Sequence, residues 1–195
     1  MKLKTDEGRR RYHMTARAEA AQSTADDILD AAIGLFTDVA FEDVTLDAIA
    51  ERAGVTKRTA LRRFESKDRL FVAAMDRARE EMVRHRDEAP VGDVRGAVAN
   101  VVGQYERWGT NRLRLLSQED RIELVAEHVR GGRAYHWDWV EKTFAPQLAG
   151  LRGSARTRRL AALVAATDVY TWKLLRLDLG LSRAETERTL VEIIG

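Results

Sequence analysis

Apolar residues recur every three or four positions through most of the chain, and almost nowhere in alternation. Ile28, Ala32, Leu35, Phe36 and Val39 fall on one face of a first helix that Ser23 or Thr24 can cap. Asp26 and Asp27 would sit in its first turn, where the helix dipole favours carboxylates. The helix should end near Ala40. Two short helices are predicted next, Leu46 to about Ala53 and Lys57 to about Phe64, capped by Thr45 and Thr56. Gly54 supplies the turn between them and Val55 plugs it. Ser66 can cap a further helix with an apolar stripe of Leu70, Phe71, Ala74, Met75, Ala78 and Met82. It should stop near Glu88, because Pro90 disfavours helix at Ala89. Beyond it the pattern predicts helices over about 92–108, 111–118, 120–147 with a break at Gly131-Gly132, 154–178 and 182–194. Gly180 suits a helix C-terminus, and Ser182 with Glu185 forms a capping-box pattern.

Only two prolines, Pro90 and Pro146, interrupt a sequence rich in Ala, Leu, Arg and Glu, and no strand-like runs occur. The expected class is all-α. The expected organisation is a flexible basic arm over 1–22, a helix-turn-helix domain over 23–70 and a second helical domain over 71–195. The 66–88 helix would link the two domains. The absence of cysteine excludes disulfides and thiol chemistry. No apolar run reaches the roughly 20 residues of a membrane span, and the N-terminus lacks the apolar core of a signal peptide, so a cytoplasmic protein is expected.

Net charge is only +2, but its distribution is uneven. Residues 20–47 carry seven acids and no Lys or Arg, whereas residues 52–64 carry five Lys/Arg and no acid. A local basic block is what phosphate binding requires, although a solvated charged face has the same composition. Helical geometry shows which residues such a block would present. In the second short helix Ala60 and Phe64 share one side, while Arg58 and Arg62 share the opposite side. Two short helices joined by a turn containing Gly make a helix-turn-helix, whose second helix enters the major groove. On that reading Arg58 and Arg62 read bases, with Lys57 and Thr59 beside them and Leu61 against a thymine methyl. Thr45, Thr56, Arg63 and Lys67 are expected as phosphate anchors. Arg9, Arg10, Arg11 and Arg17 of the arm could enter a minor groove.

The string F-x-x-V-T-L-x-x-I-A-x-x-A-G-V-T at 41–56, T-x-x-x-x-F at 59–64 and S-K-x-x-L at 66–70 resembles the tetracycline-repressor (TetR) family of bacterial regulators. The resemblance covers about Thr24 to Met75. The family usually has Gly at the position of Ala40, so a positive φ there would strain this chain. It usually has an aromatic at the position of Leu61, whose hydroxyl contacts a phosphate. The resemblance implies that the C-terminal region binds a ligand and dimerises through its last two helices. It also implies a homodimeric repressor on palindromic, double-stranded operator DNA, released by an unidentified small-molecule inducer. The alternative is a helix-turn-helix regulator without such a ligand, controlled by a protein partner.

Seven of the eight Trp and Tyr residues lie between Tyr105 and Trp172. Aromatics with a polar handle can line an organic-ligand pocket, though they also build ordinary cores. Tyr105, Trp108, His128, Trp137, Asp168 and Trp172 are the candidate lining, with His136 and Glu119 as further polar contacts. The four histidines lack metal-ligand spacing, and no nucleophile-elbow or phosphate-loop motif occurs. No cofactor, metal or catalytic activity is expected.

Overall fold

The computed structural model describes residues 4–195, with side chains from residue 19 onward. It contains no strand among them. Helix α1 spans Lys4–Asp38, a 3₁₀ turn follows at Phe41–Asp43, and then come α2 (Leu46–Arg52), α3 (Lys57–Phe64) and α4 (Lys67–Asp87). The second part holds α5 (Val94–Leu116), α6 (Glu123–Thr143), α7 (Ala145–Leu148), α8 (Gly153–Ala166), α9 (Val169–Lys173), a π-helical turn at Leu174–Asp178, and α10 (Arg183–Ile194). The chain divides into two compact units within α4, one ending at Arg77 and the other beginning at Ala78. Among the described residues no helix is long and apolar enough to cross a membrane.

In the N-terminal unit the core is built from Ile28, Ala32 and Phe36 of α1, Ile49 and Ala50 of α2, Ala60 of α3, and Leu70, Phe71, Ala74 and Met75 of α4. Three rings knit it together. Phe36 lies 5.6 Å from Phe41 and 5.0 Å from Phe71, and Phe41 lies 5.2 Å from Phe71. Arg77 ties α4 to α1 through Asp26 (2.6 Å) and Asp30 (3.1 Å).

Three expectations fail in this unit. α1 begins well before Ser23, because the alanine-rich stretch at 16–21 is a strong helix former. Thr24 accordingly does not cap; its hydroxyl donates to the Ala20 carbonyl inside the helix (2.9 Å). Val39 lies beyond the helix end and is 39% exposed rather than packed. Ala40 takes φ −64°, ψ 146°, so the strain foreseen there is absent. Positive φ falls instead on Gly54 (67°) and, outside glycine, on Glu65 (66°).

In the C-terminal unit α5 contributes Val98, Val101, Val102 and Tyr105 to the core, and α6 contributes Val125, Trp139 and Val140. Leu160 and Leu163 of α8, Trp172 of α9 and Leu190 and Ile194 of α10 close it. The helices predicted at 92–108 and 111–118 are one helix. Gly109 does not break α5; it admits the Trp172 ring, which a Cβ at that position would strike. α6 likewise runs unbroken through Gly131 and Gly132. The helix predicted over 154–178 is interrupted instead. Thr167 bonds back to the Leu163 carbonyl (2.8 Å), and the Asp168 side chain caps α9 at the Tyr170 amide (2.9 Å). The capping box at the start of α10 is present: Ser182 Oγ accepts from the Glu185 amide (3.2 Å) and Glu185 Oε2 accepts from the Ser182 amide (2.9 Å).

Candidate functional site

Local sequence sets the geometry of the helix-turn-helix. Thr45 Oγ1 accepts from the Ala48 amide (3.1 Å) and Thr56 Oγ1 from the Thr59 amide (3.2 Å), so each short helix starts on a threonine cap. α2 stops at Gly54 in a Schellman turn, with the Gly54 amide on Glu51 O (3.1 Å) and the Val55 amide on Ala50 O (2.9 Å). The turn carries the chain directly into Thr56 and α3.

α3 buries Ala60, half-buries Phe64 and Leu61, and exposes Lys57, Arg58, Arg62 and Arg63. Lys57 is paired with Asp47 at 2.7 Å, which braces α3 against α2. Thr59 shares a hydroxyl hydrogen bond with Thr56 (2.9 Å). Arg58, Arg62 and Arg63 make no hydrogen bond or ion pair among the described residues. Lys67, expected as a phosphate anchor, is directed at the chain itself. Its ammonium donates to the carbonyls of Phe41 (2.8 Å), Val44 (3.0 Å) and Glu42 (3.4 Å), and sits 4.4 Å above the Phe41 ring. These three carbonyls all belong to the α1–α2 connection. The arm arginines Arg9, Arg10, Arg11 and Arg17 have side chains outside the described residues.

Of the candidate ligand residues of the C-terminal unit, Tyr105, Trp172 and His136 are brought together. Tyr105 and Trp172 are buried together with ring centres 5.9 Å apart, and Trp172 Nε1 donates to Glu106 (2.9 Å). Trp108 lies 6.4 Å from His85 and under Arg107 (4.5 Å). Trp137 is 41% exposed, Asp168 is a helix cap, and Glu119 is held by Arg133 (2.5 Å). His128 accepts at Nδ1 from Arg79 Nη2 (3.1 Å).

A buried polar cluster centres on Arg86, a residue absent from the candidate lining. It is 1% exposed and has no carboxylate partner among the described residues. Its Nε donates to Gln104 Oε1 (2.5 Å), Nη1 to His136 Nδ1 (3.1 Å) and Nη2 to Tyr105 Oη (3.0 Å). The Trp139 ring faces its guanidinium at 4.6 Å, and Tyr105 passes the chain of hydrogen bonds on to Thr167 O (3.0 Å). Because Nδ1 of His136 accepts, Nε2 carries the proton and faces Thr167 Oγ1 (3.3 Å) and Val164 O (3.4 Å). Burial, and then the charges of Arg86 and Arg112, push the His136 pKa down to about 3. Burial with Arg79 and Arg112 pushes His128 down to about 4. Both rings are therefore neutral at physiological pH. Burial also lowers the Arg86 pKa, but arginine stays charged.

Residues 28–74 match the family described as bacterial regulatory proteins, tetR family. Over that segment, about a quarter of its length, the chain is similar to the tetR family. Solved structures extend the likeness to the rest of the chain. A transcriptional regulator of Rhodococcus sp. Rha1 superposes with a TM-score of 0.67 at 18% identity, over 88% of this chain and 94% of that one. A tetR-family regulator from Streptomyces coelicolor gives 0.67 at 19% identity, over 87% and 80%. AibR, solved in complex with isovaleryl coenzyme A and operator DNA, gives 0.65 at 18% identity, over 88% and 97%. At these identities the likeness is one of fold. No curated protein matches the chain.

The matched residues 28–74 run from the core face of α1 through the helix-turn-helix to Ala74 on α4. The capping threonines and the arginine face of α3 both lie inside that span. The tetR-family resemblance carried no signal for Arg86 or Arg112, which lie beyond it. A sequence signal for Arg86 does exist: it follows Met82 by four residues, on the apolar stripe of α4.

Proposed function

We propose that the chain is a homodimeric repressor that holds palindromic operator DNA through α3 and is released by a small molecule bound in the C-terminal unit. One observation carries the DNA half of this reading. Arg58, Arg62 and Arg63 project from the second helix of a helix-turn-helix with no partner among the described residues. Arg58 and Arg62 read guanine O6 and N7. Arg63, Thr45 and Thr56 hold phosphates, Thr59 and Lys57 flank the reading face, and half-buried Leu61 meets a thymine methyl. The regulator acts in the cytoplasm.

Tyr170, Leu174, Leu177, Leu179 and Ile193 support dimerisation. These large apolar residues of α9, the π-turn and the segment through α10 are all exposed. An apolar row of this kind marks an interaction surface. The small-molecule half draws on the polar core around Arg86 and on AibR, whose solved complex holds both a coenzyme A thioester and operator DNA. α4 belongs to both units, so effector binding beside its C-terminal half changes the spacing of the two recognition helices.

Selection of binding sites from a random DNA pool tests the reading. The expected product is an inverted repeat with guanines in each half-site and half-site centres about 34–36 Å apart. A pool that yields no sequence preference would overturn it.

A further inference from the structure

Arg86 is not an isolated buried charge. Arg112 of α5 lies near enough to act on the ionisation of Arg86, His128 and His136 alike, and Arg79 acts on His128. Arg79 and Arg112 both reach the stretch of α6 that lacks side chains. Arg79 Nη1 would lie 2.6 Å from a Cβ on Gly131, and Arg112 Nη2 lies 3.6 Å from the equivalent point on Gly132. Three guanidinium charges thus gather between α4, α5 and α6.

None of the three is paired with Asp or Glu among the described residues. Arg79 donates to His128 Nδ1 (3.1 Å) and His128 O (2.9 Å), while its Nε is buried without a hydrogen bond. Arg112 has five N–H donors, and the acceptor it meets is the Met82 thioether at 3.4 Å. Sulfur is a weak acceptor and carries no charge. Like charges in a partly desolvated setting repel, and neutral histidines do not relieve them. A fold gains nothing from such a grouping in the absence of a negative partner. The guanidinium fork matches a carboxylate or a phosphate in shape as well as charge.

We propose that Arg112 and Arg79, above the Gly131–Gly132 surface, bind the anionic group of the effector, which is a small organic carboxylate or phosphate. Arg86 supplies a fixed charge behind them. The inference rests on the reading of the C-terminal unit as effector-binding and names the chemical class of that effector.

Thermal unfolding at constant ionic strength tests it, with sodium octanoate and inorganic phosphate exchanged for chloride and octanamide as the neutral control. The wild-type midpoint should rise by roughly 3 °C with at least one anion and not with octanamide. The anion that acts tells a carboxylate-bearing effector from a phosphate-bearing one. Arg112→Met should lose this response while unfolding, without anion, no lower than wild type; Arg112→Lys should keep part of it. The variant also subtracts the general stabilisation that phosphate gives any protein. No anion-specific rise in wild type, an equal rise in R112M, or a lower anion-free midpoint in R112M would each overturn the proposal. Operator affinity measured in the same solutions separates the two readings. An anion that binds without changing operator affinity removes the inducer role and leaves the site. Release by octanamide but by neither anion removes the site and leaves the inducer role.

Discussion

Arg58 and Arg62 stand four residues apart on α3, both exposed, while Lys67 a few residues later has its ammonium directed at three carbonyls. On the proposed reading these three basic residues do two different jobs, and substitution should separate them. Arg58→Ala or Arg62→Ala should cut the preference for operator over random DNA by roughly 5- to 150-fold, since one bidentate base contact is worth about 1–3 kcal/mol. The unfolding midpoint should not move. Lys67→Met should lower stability by about 2 kcal/mol, because the carbonyls of Phe41 and Val44 lose a charged donor and Phe41 loses its cation. Anisotropy titrations on both DNAs, beside urea unfolding, distinguish the two patterns. His136 makes a third residue-scale case. Its folded pKa, near 3, lies below the unfolded value near 6.5, so the unfolded chain binds the extra proton. Stability is then full above about pH 6.5 and falls as pH drops toward 3, by on the order of 2 kcal/mol at pH 5 from this group. His136→Asn should flatten that part of the urea-unfolding profile between pH 7 and 5; an unchanged slope would show that His136 is not its source.

The α3–α4 junction shows how one element boundary can hold strain. α3 ends at Glu65 with φ 66° and ψ −43°, a region that suits glycine. Glu65 also makes an exposed i,i+4 pair with Arg69 at 2.9 Å, which is worth little. Glu65→Gly should therefore stabilise the N-terminal unit by about 1 kcal/mol, read as a higher urea midpoint. Nothing in the sequence marks that residue, because a left-handed glutamate has no compositional signature. Elements fixed by local chemistry were legible: Thr45, Thr56, Gly54 and the Ser182–Glu185 box all act where their residue types predict. Elements decided by tertiary contact were not. Gly109 reads as a helix break until Trp172 is seen packed over it, and Thr167–Asp168 reads as helix until its side chains are seen bonding the backbone. The arginine face of α3 was visible from periodicity alone. Arg86 was passed over because arginine is ordinarily a surface residue, and only its neighbours Gln104, Tyr105 and His136 make burial tolerable.

At the scale of the whole molecule the question is what covers the exposed apolar row of the last helices. Leu175 is buried, yet Leu174 and Leu177 on the same π-turn are each 50% exposed and Leu179 more so. A π-turn holds more residues per turn than an α-helix, which shifts the phase of the residues after it. Tyr170 and Ile193 extend the row onto α9 and α10. If two copies of the chain pair through this row, a negative charge there must be desolvated against its symmetry mate. Leu174→Glu with Leu177→Glu should then turn a dimer into a monomer in sedimentation velocity, and far-ultraviolet circular dichroism should show the same helix content, since neither side chain belongs to the core. A monomer carries one recognition helix. The second half-site no longer binds at the effective concentration that a dimer provides, so affinity for a palindromic operator should fall by roughly 10²- to 10⁴-fold while affinity for a single half-site stays level. A variant that still sediments as a dimer would place the interface elsewhere on the C-terminal unit. A wild-type chain that sediments as a monomer would remove the palindrome from the proposed function and leave α3 reading one site at a time.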